Sequence, residues 1–393
     1  MAANRAWLEQ NLGGAPKPAP GAPDAGMQAS IAELTPQLLA RQRIEFDGAT
    51  PEMLARSAAW PEAPPTLSHY VPVSWPDGLA PKPATQEPSG ESLPEADVLI
   101  VTWTVEEGSA LAHVLTPGCE SNLPTKSHPA KPGIKYWKPY VKNYEQIAAG
   151  MNPRCPARQK KRLGTYWTAE IGDKKVVLFK SESHMSQDGP EDLATTPNRL
   201  VWKQLIEDCE PKWVITTGTA GGIGAGTEVG DVVLSRFVTF DSGGNPSQFE
   251  PFDCPQDAPA GLLDTAHDLF AANAANLPKT NKRGPRIVHG KSARSGVVTT
   301  KGFKYDDTAN TFGLKGHGDA CEMGDAVLGY VCKELGADAP SYAMIRNVSD
   351  PEIDSSDPEA PQLANWIYEH FGRWSTVCSA IVCWAAVAGL ESK

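Results

Sequence analysis

From Ala96 onward the chain alternates short β-rich apolar runs with segments of helical spacing, and this limits its fold more than any other feature. ADVLIVTW is a strand-like run, and VEEGSALAHVL places its apolar residues at helical intervals. RLGTYWTAEIGDKKVVLFKSE reads as a hairpin turning at Gly172-Asp173. PNRLVWKQLIEDCEP is an amphipathic helix, WVITTG a buried strand and DVVLSRFVTF another. GLLDTAHDLFAANAANL is a helix, ARSGVVTT a strand, GDAVLGYVCKELG a helix closed by Gly336, and SYAMIRNVSD a strand. From Gln362 the chain is mostly helical in pattern. Such alternation predicts an α/β fold of three layers, with a central mixed, mostly parallel sheet flanked by helices.

Two stretches interrupt the rhythm. Residues 1–95 are rich in proline and alanine, as in APKPAPGAPDAG, and predict an irregular N-terminal arm with short helices near IAELTPQLLARQRIEF and PEMLARSAAW. The α/β domain itself would then span 96–391. Within that domain a basic, proline-rich insert runs over about 116–162 and carries Lys126, Lys131, Lys135, Lys138, Lys142, Lys160, Lys161 and Arg162. Two readings of these cations stand: a solvated or oligomer-contacting loop, and a holder for a substrate phosphate.

Composition excludes several classes. With 40% hydrophobic residues over 393 positions the chain can bury a sizeable core, and its net charge of −11 argues against nucleic acid or an anionic membrane as partner. MAANRAWLEQNLGG lacks a secretory apolar region, and STVCSAIVCWAAVAGL is shorter than the ~20 apolar residues of a membrane span. The eight cysteines form no C-x-x-C pair, so no zinc or redox motif is indicated and reduced thiols in the cytoplasm are expected. No cofactor and no metal is expected.

The glycine cluster TTGTAGGIGAGTEVGD, after the apolar run WVI, invites a phosphate-loop reading. It lacks the lysine of a Walker A loop, and the next segment has strand rather than helix character, which also disfavours a dinucleotide fingerprint. Glycines that only supply turns are the plain alternative.

Three segments, WVITTGTAGGIGAGTEVGDVV, CEMGDAVLGYVCKELG and MIRNVSDPEID, resemble in order and spacing the nucleoside phosphorylase/nucleosidase superfamily. The resemblance is nearest to hydrolytic members such as methylthioadenosine/adenosylhomocysteine nucleosidase and AMP nucleosidase. It implies cleavage of the N-glycosidic bond of a purine-type nucleoside or nucleotide, through an oxocarbenium-like transition state. Protonating the base and deprotonating a water call for two ionisable groups on opposite sides of the bond.

On that resemblance Asp350 is the acid that serves the departing base and Glu107 activates water, with Glu106 beside it. A solvated helix start is the alternative for Glu107. Thr217, Gly218, Thr219, Ala220 and Gly221 line the substrate; Phe303, with Tyr305 as its rival, stacks on the base; Glu322, Met323, Asp325 and Arg346 lie around the sugar. Gly324 departs from the family's Glu-Met-Glu, so either Asp325 or Glu322 replaces the second glutamate or the sugar is not an ordinary ribose. Thr216 stands where phosphorylases of the family carry a phosphate-binding arginine, and a neutral threonine lacks the charge-assisted contact phosphate wants. Hydrolysis is therefore expected, with phosphorolysis and a non-catalytic nucleoside-binding or assembly protein as alternatives. The resemblance also implies a homo-oligomer. His184 and Asp188 in SESHMSQDGP receive no role.

Overall fold

The computed structural model describes residues 73, 75–76, 78–85, 88–126, 128–183, 192–224, 227–241, 249–254, 266, 268–273, 285–290, 296–300, 314, 316–350 and 375–390. The sheet is built along the chain as follows. A short strand β1 (Lys82–Pro83) is followed by β2 (Val98–Thr102) and helix α1 (Val105–Leu115). The insert forms its own small elements: β3 (Cys119–Glu120), β4 (Lys135–Tyr136), β5 (Lys138–Tyr140), α2 (Tyr144–Ala148) and α3 (Pro156–Lys160). The hairpin β6 (Gly164–Ile171) and β7 (Lys174–Ser181) leads to α4 (Pro197–Cys209) and β8 (Trp213–Gly222). Next come β9 (Val232–Ser235), β10 (Phe237–Asp241), β11 (Glu250–Asp253), β12 (Ile287–Gly290), β13 (Val297–Thr300) and β14 (Ala320–Glu322). Helix α5 (Asp325–Leu335) and β15 (Ser341–Asp350) follow, and α6 covers 375–388.

The main sheet runs β1-β6-β7-β2-β8-β14-β13-β10-β11, with β15 on β8 and β9. The central pairings β7–β2, β2–β8 and β8–β15 are parallel, while β6–β7 and β14–β8 are antiparallel, so the sheet is mixed as expected. DVVLSRFVTF is two strands rather than one. Ser235 Oγ accepts the Phe237 N–H at 2.9 Å, and this local bond bends the chain so that β9 and β10 take different partners.

Alternation along the strands supplies both faces. Val98, Ile100 and Ile215 pack with α1 and α6, whereas Leu99, Val101 and Val214 pack with Trp202 of α4 and Val327 and Val331 of α5. The layers are therefore helix, sheet, helix. The described end of the arm is part of this body: Trp75 meets Trp384 edge-on at 4.6 Å, and Trp384 Nε1–H donates to the Leu79 carbonyl at 2.7 Å. Six of the eight cysteines are buried. Among the described residues no helix is long and apolar enough to cross a membrane.

Candidate active site

Parallel strands β2, β8 and β15 end on the same side of the sheet, where open α/β sheets commonly place their sites. Helix α1 starts there because Thr104 caps it. Thr104 Oγ1 accepts the Glu107 N–H at 3.1 Å, and the Glu107 carboxylate accepts the Thr104 N–H at 2.8 Å, a reciprocal capping box.

Glu107 does more than close that box. Its Oε2 also accepts the Thr102 hydroxyl and the Trp103 N–H, both at 3.0 Å. Its Oε1 accepts the Thr219 N–H at 2.7 Å and the Thr219 hydroxyl at 2.8 Å. The residue is 3% exposed, so a solvated helix start does not describe it. Burial alone would raise its pKa. The Arg346 charge and the hydrogen bonds from Thr104 and Thr219 outweigh that and hold it below its ordinary value.

The glycine cluster gains a specific reason here. Gly218 has φ +149°, and a Cβ on it would lie 2.4 Å from the Glu107 carboxyl carbon. Only glycine lets β8 approach the carboxylate this closely in that conformation. The acid held against the GTAGG backbone is thus the protein's own. Beyond Thr219, the carbonyl of Ala220 accepts the Ser349 hydroxyl at 3.3 Å, and Gly221 pairs with Cys321 and with Asp350. Thr216 and Thr217 are buried in β8. The Thr216 hydroxyl finds no hydrogen-bond partner.

Arg346 gathers the remaining acids. It sits on β15 opposite Gly218, and its Nε donates to Asp325 Oδ2 at 2.8 Å while Nη2 bonds Asp325 Oδ1, a bidentate pair. Nη2 also lies 3.3 Å from Glu322 Oε2. The guanidinium stacks on the Trp103 ring, 4.7 Å from its centroid. Glu322 accepts from the Thr299 hydroxyl and from the N–H groups of Gly324 and Asp325. Burial, and then the Asp325 charge, push Glu322 up to about 7 against the pull of Arg346 and Thr299. Met323 is buried beside them.

Gly324 lies against the indole: a Cβ there would stand 3.4 Å from Trp103 Cζ2, the edge of ordinary van der Waals contact. Asp325, one residue on, supplies the carboxylate that grips Arg346.

The structure thus brings together Glu107, Thr219, Glu322, Met323, Asp325 and Arg346 from five separate elements. The backbone of Asp350 ends β15 at the same side, across from Gly221 after a register shift between Val348 and Asp350. Phe303, Tyr305, His184 and Asp188 lie outside the described residues. Sequence reasoning missed Thr102, Trp103 and Thr299. The first two closed an ordinary-looking apolar strand and Thr299 ended another, so nothing local marked them.

The Phosphorylase superfamily pattern matches residues 140–383. The chain is similar to 5′-methylthioadenosine/S-adenosylhomocysteine nucleosidase of Exiguobacterium sp., 29% identical over 58% of this chain and 85% of the relative. It is also similar to the DeoD-type purine nucleoside phosphorylase of Streptococcus uberis, 30% identical over 40% of this chain and 61% of the relative. Among solved structures, the Neisseria meningitidis 5′-methylthioadenosine/S-adenosylhomocysteine nucleosidase with methylthio-immucillin-A is 16% identical at a TM-score of 0.43, over 75% of this chain and 99% of that one. A nucleosidase and a phosphorylase match at nearly equal identity, so these likenesses reach the family and not the reaction. With the family pattern spanning more than half of its length, the chain belongs to the Phosphorylase superfamily.

Proposed function

We propose that the protein is a nucleosidase, hydrolysing the N-glycosidic bond of a purine-type nucleoside or nucleotide. The observation that carries this reading is the state of Glu107, a buried carboxylate kept ionised where β2 and β8 end. An ionised acceptor is what activation of a water requires. Five donors already fill the roughly four lone-pair sites of that carboxylate. An incoming water must displace one of them. Only the hydroxyls of Thr102 and Thr219 can turn away without breaking backbone contacts, and Thr219 alone of the two is not fully buried. Thr219 is therefore the residue at which water reaches Glu107.

In this scheme Asp350 protonates the departing base and Phe303 stacks on it. Glu322, Met323 and Asp325 form the sugar side, with Arg346 fixing their carboxylates. Water rather than phosphate is favoured because Thr216 is neutral and Arg346 is already engaged by Asp325 and Glu322.

The test is incubation with a panel of purine nucleosides and nucleotides, with and without phosphate, followed by chromatography of base and sugar. Free base and free sugar at equal rates in both buffers are expected. A strict phosphate requirement with a sugar 1-phosphate product would move the protein to the phosphorylases. Binding without any product would make it a nucleoside-binding protein.

A further inference from the structure

A second buried ionic cluster lies at the same end of the sheet, and the reaction above does not use it. Lys180 of β7 is in register with Thr102 of β2, the strand that leads to Glu107. Its stem runs against α1: a Cβ on Gly108 would lie 2.8 Å from Lys180 Cδ. Glu182, just past β7, accepts from Lys160 Nζ at 2.7 Å, Lys180 Nζ at 3.1 Å, and Arg162 Nη2 and Nε at 2.8 and 3.3 Å. The backbone fixes this grouping, since the Ala157 N–H donates to the Glu182 carbonyl and the Glu182 N–H donates to that of Leu163.

Three cations therefore face one carboxylate. Among the described residues none of the three has another acidic partner within salt-bridge distance. The side chains of Lys180 and Glu182 are 1% exposed, where unbalanced charge is costly, while those of Lys160 and Arg162 are 17% and 15% exposed and within reach of a solute. Lys180, Glu182 and Arg162 are the charged groups that face Lys160. Burial, and then the Lys180 charge, bring Lys160 down to about 8 against the pull of Glu182.

Four of the other insert cations are engaged elsewhere. Lys131 pairs with Glu120 and Lys142 with Asp208, while Lys135 and Lys138 donate to the carbonyls of Thr85 and Pro88. Lys160 and Arg162 keep unused N–H groups, because an ammonium has three donors and a guanidinium five.

We propose that Lys160, Arg162 and Lys180, assembled on Glu182, form an anion subsite for a phosphate dianion at the rim of the active site, beside α1. A dianion would balance the formal charge of the cluster. Its source is either the phosphate of a nucleotide substrate or inorganic phosphate. The nucleotide source rests on the proposed nucleosidase function; phosphate binding itself does not.

Calorimetric titration of the full chain at low ionic strength separates these cases, with adenosine, adenosine 5′-monophosphate and inorganic phosphate as probes. The monophosphate should bind at least tenfold more tightly than adenosine. The double variant Lys160→Met/Arg162→Met should abolish that difference and leave adenosine binding within twofold. The exchange Lys160→Arg/Arg162→Lys should retain it, which controls for loss of fold. Binding of inorganic phosphate that the double variant removes, with no preference for the monophosphate, supports the subsite and assigns it to free phosphate. Phosphate binding without any adenosine binding or cleavage upholds the subsite and sinks the nucleosidase reading. If neither phosphate compound shows binding that depends on Lys160 and Arg162, the subsite does not exist.

Discussion

The two ionic clusters at the carboxyl end of the sheet are opposite in stoichiometry. Around Arg346 three carboxylates, Glu107, Glu322 and Asp325, meet one guanidinium; around Glu182 three cations meet one carboxylate. Each moves one pKa toward neutrality, Glu322 up to about 7 and Lys160 down to about 8. They differ in access. The carboxylates of the first are buried, with the Trp103 indole stacked on their shared guanidinium, so its excess negative charge is relieved by a proton on Glu322. The second leaves two cations at the surface, so its excess positive charge is open to an outside anion. Burial thus decides whether an imbalance becomes a titration or a binding site.

Removing the hub of the basic cluster should have the largest effect. Glu182→Gln leaves three buried or half-buried cations unpaired and is expected to cost about 3–5 kcal/mol in denaturant unfolding. A cost under 1 kcal/mol would mean that Glu182 does not hold the cluster.

The acidic cluster should show itself as a pH dependence. Glu322 has a folded pKa raised from 4.5 to about 7, so its stabilising protonated form is complete below 4.5 and lost as pH rises through 7. Stability of the wild type should fall by about 2–3 kcal/mol between pH 5 and 7.5, and Glu322→Gln should flatten that slope. Parallel slopes in the two proteins would remove Glu322 as the titrating group.

Restoring a side chain at Gly324 should press on the Trp103 indole. Gly324→Glu adds a fourth carboxylate and pushes on Trp103, with an expected cost of about 1–3 kcal/mol that Trp103→Ala in the same chain reduces. Strict additivity of the two changes would show that the indole does not occupy that space.

The smallest effect expected has the opposite sign. Lys160→Met removes one excess cation and should raise stability by about 1 kcal/mol in phosphate-free buffer. A loss of similar size would show that Lys160 is a needed partner of Glu182 and not a surplus charge.

Much of the scaffold was legible in the sequence because its signals are local. The spacing in VEEGSALAHVL and the turn at Gly172-Asp173 specify α1 and the β6–β7 hairpin without reference to the rest of the chain. What the sequence concealed depends on distant partners. Trp103 resembles any residue ending an apolar strand until it is seen against Gly324, and the charges of FKSES resemble a solvated strand end until the insert folds over them. Gly218 was readable as one of a glycine cluster after a buried strand, but the residue that requires it, Glu107, lies more than a hundred residues away.

The central claim, that Glu107 delivers water to the glycosidic bond, is tested most directly by base release in phosphate-free buffer. The wild type should release free purine base from its best substrate. Glu107→Gln should reduce the rate by about 100-fold or more at unchanged fold, as loss of a general base does. Release that requires added phosphate, or that survives Glu107→Gln at the wild-type rate, would contradict the account.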